Sequence, residues 1–78
     1  MAMNDWEQTV NREDIEHWAW ENKKTDKIIN ITAIYYQDAL TGFMVSVFTP
    51  GDARDTTWRK FNTKQQAMNY AKKYMRSH

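Results

Sequence analysis

Seven of the nine residues from Ile28 to Tyr36 are β-branched or aromatic. Such side chains fit a pleated, half-buried surface better than the crowded turn of a helix. The run from Lys27 to Gln37 therefore predicts a strand, with Ile29, Ile31, Ala33 and Tyr35 on one face and Asn30, Thr32, Ile34 and Tyr36 on the other. One strand, or even a hairpin, is marginal in water, so neighbours are required. Phe43 to Thr49 supplies a second strand, with Phe43, Val45 and Val47 on one face and Met44, Ser46 and Phe48 on the other. Thr56 to Phe61 supplies a third, shorter one. Asp38 to Gly42 reads as the first connection, and Pro50-Gly51 suits the central positions of a type II turn that Asp52 to Asp55 extends into a loop. Three consecutive strands with short connections make an antiparallel meander.

Helical signals flank these strands. Asn11 has the chemistry of an N-cap, Asp14 stands at N3, and Val10 and Ile15 have the spacing of a hydrophobic staple. Ile15, Trp18 and Ala19 would form the apolar stripe of this helix, which Asn22, Lys23 and Lys24 would close. Trp20 falls off the stripe. At the other end, Thr63-Lys-Gln-Gln66 matches a capping box in which Gln66 answers the Thr63 amide, and Ala67, Ala71, Tyr74 and Met75 form a stripe beyond it. The expected fold is α+β: a three-stranded antiparallel sheet with an N-terminal and a C-terminal helix, in the order α-β-β-β-α.

With 78 residues, the chain is expected to form a single domain, with residues 1–10 either a helical turn or a loose N-terminal segment. The absence of cysteine rules out a disulfide, a thiolate metal site and a cysteine nucleophile, and is compatible with a cytoplasmic setting. Four Trp, four Tyr and three Phe can fill the small core instead, or serve a binding surface. No apolar run approaches the ~20 residues of a membrane helix, and the polar, acidic N-terminus carries no secretory signal, so no membrane partner is expected. Charge is unevenly spread. Residues 1–39 carry eight acids and four bases, residues 40–78 two acids and seven bases. The halves either attract each other within the fold or present an acidic and a basic face to partners.

No catalytic constellation is visible. His17 and His78 are far apart, Ser46 and Ser77 lack a nucleophile context, Gly42 and Gly51 form no phosphate loop, and no cofactor or metal ligand set can be named. A non-catalytic binding module is expected. Alternation puts Trp58 and Lys60 on one face of the third strand and Arg59 and Phe61 on the other. If Phe61 points to the core, Trp58 and Lys60 point outward beside Tyr36, Met44 and Ser46, a ring for base stacking and a cation for phosphate, unless the N-terminal helix covers them.

The order helix–three strands–helix resembles the double-stranded RNA-binding domain. The segment Thr63-Lys-Gln-Gln-Ala-Met-Asn-Tyr-Ala-Lys-Lys73 looks like the start of that family's second helix, where lysines meet phosphates across a groove. Lys64 matches the first of those lysines, while Gln65 and Met68 stand where others are expected. Phe61-x-Thr-Lys-x-x-Ala67 is also similar to the lead into the helix of three-stranded DNA-binding domains at the N-termini of some phage integrases. There the sheet enters the major groove, which would nominate Arg54, Arg59 and Lys60. The candidate nucleic-acid-binding set is thus Arg54, Trp58, Arg59, Lys60, Lys64 and Lys72, with DNA or RNA as partner. The alternative is a regulator or inhibitor of phage or mobile-element style that binds a host protein through Glu13, Glu16, His17, Trp20 and Glu21 of the acidic N-terminal helix. Homodimerisation through an exposed edge strand, or through the opposite charges of the two halves, is compatible with either reading.

Overall fold

The computed structural model describes residues 5–78, and of Ala53 the backbone alone. Five strands precede one helix: β1 Trp6–Arg12, β2 His17–Asn22, β3 Ile28–Tyr36, β4 Ala39–Thr49, β5 Asp52–Phe61 and α1 Lys64–Ser77. The strands form one antiparallel sheet in sequence order. This corrects the three-stranded sheet with an N-terminal helix. The fold remains α+β, but it is mostly sheet, and a hairpin stands where that helix was expected. Of the segment 1–10 expected to be a helical turn or loose, residues 1–4 lie outside the described residues and 6–10 belong to β1.

The aromatic residues explain the correction. Trp18 and Trp20 are two apart, which puts both rings on one face of a strand but about 200° apart around a helix. In β2 both pack toward the core beside Ile31 and Ile29, their partners across the strands. Asn11 and Arg12 end β1 as partners of Trp18 and His17, so Asn11 caps nothing. Glu13 to Glu16 form the β1–β2 turn, with the Glu16 amide on the Glu13 carbonyl at 3.2 Å and Glu16 at φ 50°. Acids and amides that suit a helix start suit a turn equally well. Ile15, the expected staple residue, is exposed in that turn. Asn22 opens the next connection, where its Oδ1 accepts from the Lys24 and Thr25 amides at 2.8 and 3.0 Å.

Later elements differ in their bounds. The β3–β4 connection is shorter than Asp38–Gly42: only Gln37 and Asp38, at φ 50° and 65°, lie between the strands, the two positive φ values of a type I′ hairpin. Pro50-Gly51 connects β4 to β5, and Gly51 at φ 86° matches the position of a type II turn that favours glycine. Asp52 to Asp55 belong to β5 rather than to a loop, since Asp52 already pairs with Thr49.

The helix covers one sheet face only. Ala67, Ala71 and Met75 are buried against Trp18, Ile29, Ile31, Phe43, Val45 and Val47. Trp6, at the start of β1, meets Tyr74 edge-on at 6.3 Å between ring centres. Thr63 caps the helix as expected, its Oγ1 accepting from the Gln66 amide at 3.2 Å. The Gln66 side chain reaches one residue further back than the expected box, its Oε1 accepting from the Asn62 amide at 3.1 Å. No described helix is long and apolar enough to cross a membrane.

Candidate nucleic-acid interface on the open sheet face

The face opposite the helix follows from alternation and register. Because Trp18, Ile31 and Val45 are buried under the helix, their neighbours in sequence point the other way. Cross-strand partners then form rows across the sheet. One row is Arg12, His17, Thr32, Met44 and Lys60. The next is Val10, Ala19, Asn30, Ser46 and Trp58. A third is Glu7, Glu21, Ile28, Phe48 and Thr56. Among the described residues no helix lies over these rows, and the segment expected to form a helix over Trp58 is the β1–β2 hairpin instead.

Trp58 is 65 % exposed. It stands on an edge strand, two residues from Lys60 on the same face. An indole costs hydrophobic free energy when left in water, so an exposed one on an uncovered face is more informative than the same ring in the core. The Lys60 stem lies close to Gly42, where an added Cβ would come within 3.2 Å of Lys60 Cε. His17 Nε2 donates to Asn30 Oδ1 at 3.2 Å, linking the first two rows.

The other candidates separate from this pair. Arg59 sits on the helix side, its guanidinium 5.3 Å from the centre of the Tyr70 ring. Lys64 Nζ stands 4.5 Å from the centre of a Trp18 ring and 3.5 Å from Glu13 Oε1, which supplies the partner that a cation in a first helical turn needs. Lys72 is exposed on the helix away from the Ala67–Ala71–Met75 stripe. Arg54 is exposed near the β4–β5 turn, its amide donating to Asp52 at 3.2 Å. The six residues therefore form no single site. Trp58 and Lys60 share the open face, whereas Arg59, Lys64 and Lys72 belong to the helix side.

The acidic set is also divided. Glu13 and Glu16 lie in the β1–β2 turn, where Glu16 accepts a hydrogen bond from the Tyr35 hydroxyl that raises the phenol's pKa above its ordinary value. Glu21 and His17 are on the open face. Trp20 packs against the core, so the ring that seemed spare on a helix is used in the sheet.

Around the β5 edge from Lys60 runs an open groove of about 430 Å³, lined by Lys60, Phe61, Asn62, Gln66, Asn69, Tyr70 and Lys73. It contains two cations, three carboxamides and no acid. Sequence reasoning missed this groove and its Lys73, because it joins a strand end to a helix flank. It also missed Arg12, whose place beside His17 exists only in the β1–β2 hairpin. Arg12 holds Asp14 through two hydrogen bonds of 2.9 and 2.7 Å, which lower the Asp14 pKa and raise that of the guanidinium. Among the described residues, no group of three or more His, Asp or Glu could hold a metal ion. Comparisons with protein-family models, curated proteins and solved structures found no match for the chain.

Proposed function

We propose that the protein is a non-catalytic nucleic-acid-binding module whose contact surface is the open sheet face at β5. Trp58 is the stacking platform, and Lys60 with the adjoining groove meets the backbone. The observation that carries this reading is a solvent-exposed indole beside a cation on a face that no described helix covers. Stacking on an aromatic ring is tolerant of sequence and contributes roughly 1–3 kcal/mol per base. Cations and amides without a neighbouring acid suit a phosphate backbone. The protein-binding reading loses its central residue, because Trp20 packs against the core instead of standing free.

The test is a titration of the native tryptophan fluorescence with short single- and double-stranded DNA and RNA at two salt concentrations. Saturable quenching that weakens with salt is expected, since each phosphate contact contributes a slope of about −0.7 in log affinity against log salt for single strands and about −0.9 for duplex. Trp58→Ala should weaken binding roughly 5- to 150-fold, the equivalent of ~1–3 kcal/mol, while leaving the melting temperature nearly unchanged. Lys60→Glu should weaken it further and flatten the salt slope. Absence of binding to all four ligands at low salt would overturn the reading.

A further inference from the structure

The row Arg12–His17–Thr32–Met44–Lys60 crosses all five strands. Four interstrand spacings of ~4.8 Å make it about 19 Å long. It has a cation at each end and no acid. The parallel row Val10–Ala19–Asn30–Ser46–Trp58 runs two residues away along each strand, with the exposed ring at its β5 end and a carboxamide and a hydroxyl in its middle. Glu7 and Glu21 occupy the third row, on the far side of the tryptophan row. The open face thus has one margin with a cation at each end, Arg12 being shared with Asp14 of the β1–β2 turn, and an acidic margin at Glu7 and Glu21, with hydrogen-bonding groups and one ring between them.

We infer that this face takes a single strand of DNA or RNA laid across the β-strands, and not a duplex; the inference rests on the nucleic-acid reading above. Its backbone follows the cationic row from Lys60 to Arg12, away from Glu7 and Glu21. One base stacks on Trp58, and the edges of its neighbours meet Ser46, Asn30 and Thr32, which can donate and accept hydrogen bonds. A duplex buries its base faces against each other, which leaves Trp58 nothing to stack on. Arg12 is already bound to Asp14 through Nε and one Nη. The rest of its five N–H donors remain for a phosphate, in competition with the attraction of that carboxylate. The short row predicts a site at the low end of the ~4–16 nucleotides that single-strand-binding folds cover.

The experiment titrates the full chain with oligo-dT and oligo-U of two nucleotides upward, and with a hairpin duplex of matched length, at one low salt concentration. Single strands should bind at least tenfold tighter than the duplex, with affinity rising with length to an early plateau. Arg12→Gln should weaken plateau-length oligomers several-fold and leave the dinucleotide, held at Trp58 and Lys60, unaffected. Asp14→Asn should tighten the same oligomers, a gain that a merely structural Arg12–Asp14 pair would not produce. The dT and U arms show whether the DNA-type or the RNA-type strand is preferred, and oligo-dU separates the sugar from the C5 methyl of thymine. Duplex binding as tight as single-strand binding would overturn this inference and leave the nucleic-acid reading standing, as would an Arg12→Gln variant with unchanged affinity at every length. Failure of every oligomer and of the duplex would overturn both.

Discussion

Gly42 shows how one small residue sets a close approach. A Cβ there would stand 2.7 Å from the Phe61 carbonyl oxygen, a backbone atom with little room to move. Gly42→Ala should therefore lower stability by about 1–3 kcal/mol, the usual cost of overpacking, readable as an earlier midpoint in urea denaturation. Asp55 carries a pH-dependent contribution. Its carboxylate accepts from Lys27 Nζ and from Thr49 Oγ1, each at 2.5 Å, tying the residue before β3 to the end of β4 and the first part of β5. The bond from Lys27, then that from Thr49, holds the Asp55 pKa below its ordinary value of 3.8, and the same pair holds that of Lys27 above 10.5. A depressed carboxyl contributes stability that is present above its unfolded pKa and lost as pH falls through the folded one; a raised ammonium contributes below its unfolded pKa and loses it as pH rises through the folded one. Thermal melts should therefore show part of the stability of the wild type fading as pH falls below about 3.8 and as it rises above about 10.5. Asp55→Asn should be less stable at neutral pH and show a shallower loss at both extremes. Equal slopes in the variant and the wild type would contradict the assignment.

At the scale of elements, the β3–β4 hairpin extends past its neighbours. β2 pairs with β3 only as far as Thr32, and β5 pairs with β4 only as far as Phe43. Its end carries the exposed side chains Tyr35, Tyr36 and Leu40. The turn of this arm places Gln37 and Asp38 at positive φ, a conformation costing non-glycine residues about 1–2 kcal/mol each. Replacing the pair with Asn-Gly, which suits a type I′ turn, should raise stability by about 1 kcal/mol. A higher melting temperature with unchanged oligonucleotide affinity would confirm that the turn is strained and lies apart from the interface. The strands β3 and β4 and the helix α1 were legible because long runs of β-branched residues and a 3.6-residue stripe are each specific to one period. The N-terminal hairpin was not. Ile15, Trp18 and Ala19 imitate a helical stripe, and Asn11 to Asp14 imitate a cap. Trp20, two residues after Trp18, was the contrary signal, because two tryptophans at that spacing share a face only in a strand.

On the scale of the whole molecule, one helix closes one side of the sheet. Ile29 and Ile31 are fully buried, and with Val45 they face Ala67, Ala71 and Met75 in a common core. Truncation after Asn62 would expose those β3 and β4 side chains to water. The shortened chain should lose its near-ultraviolet circular dichroism and bind a hydrophobic dye, whereas retention of a cooperative thermal transition would show that the sheet stands alone. The uneven charge of the sequence is partly used within the fold through the Lys64–Glu13 pair between its halves, whereas Lys27–Asp55 joins the halves with the opposite polarity. The remaining bases include Lys60 and Lys73 at the groove.

By itself, the sequence determined the periodicities: strands through Ile28–Tyr36 and Phe43–Thr49, a helix capped by Thr63, and the outward direction of Trp58 and Lys60, since alternation needs only a neighbour that points inward. Tertiary structure decided the rest. It chose a hairpin over a helix for Trp6 to Asn22, because Trp6, Trp18 and Trp20 reach one shared core only from strands. It left the other sheet face open, and it placed Arg12, from the acidic half, in one row with Lys60 from the basic half. Such rows depend on the register between strands distant in the chain, which is set by packing against the helix and is written in no local segment.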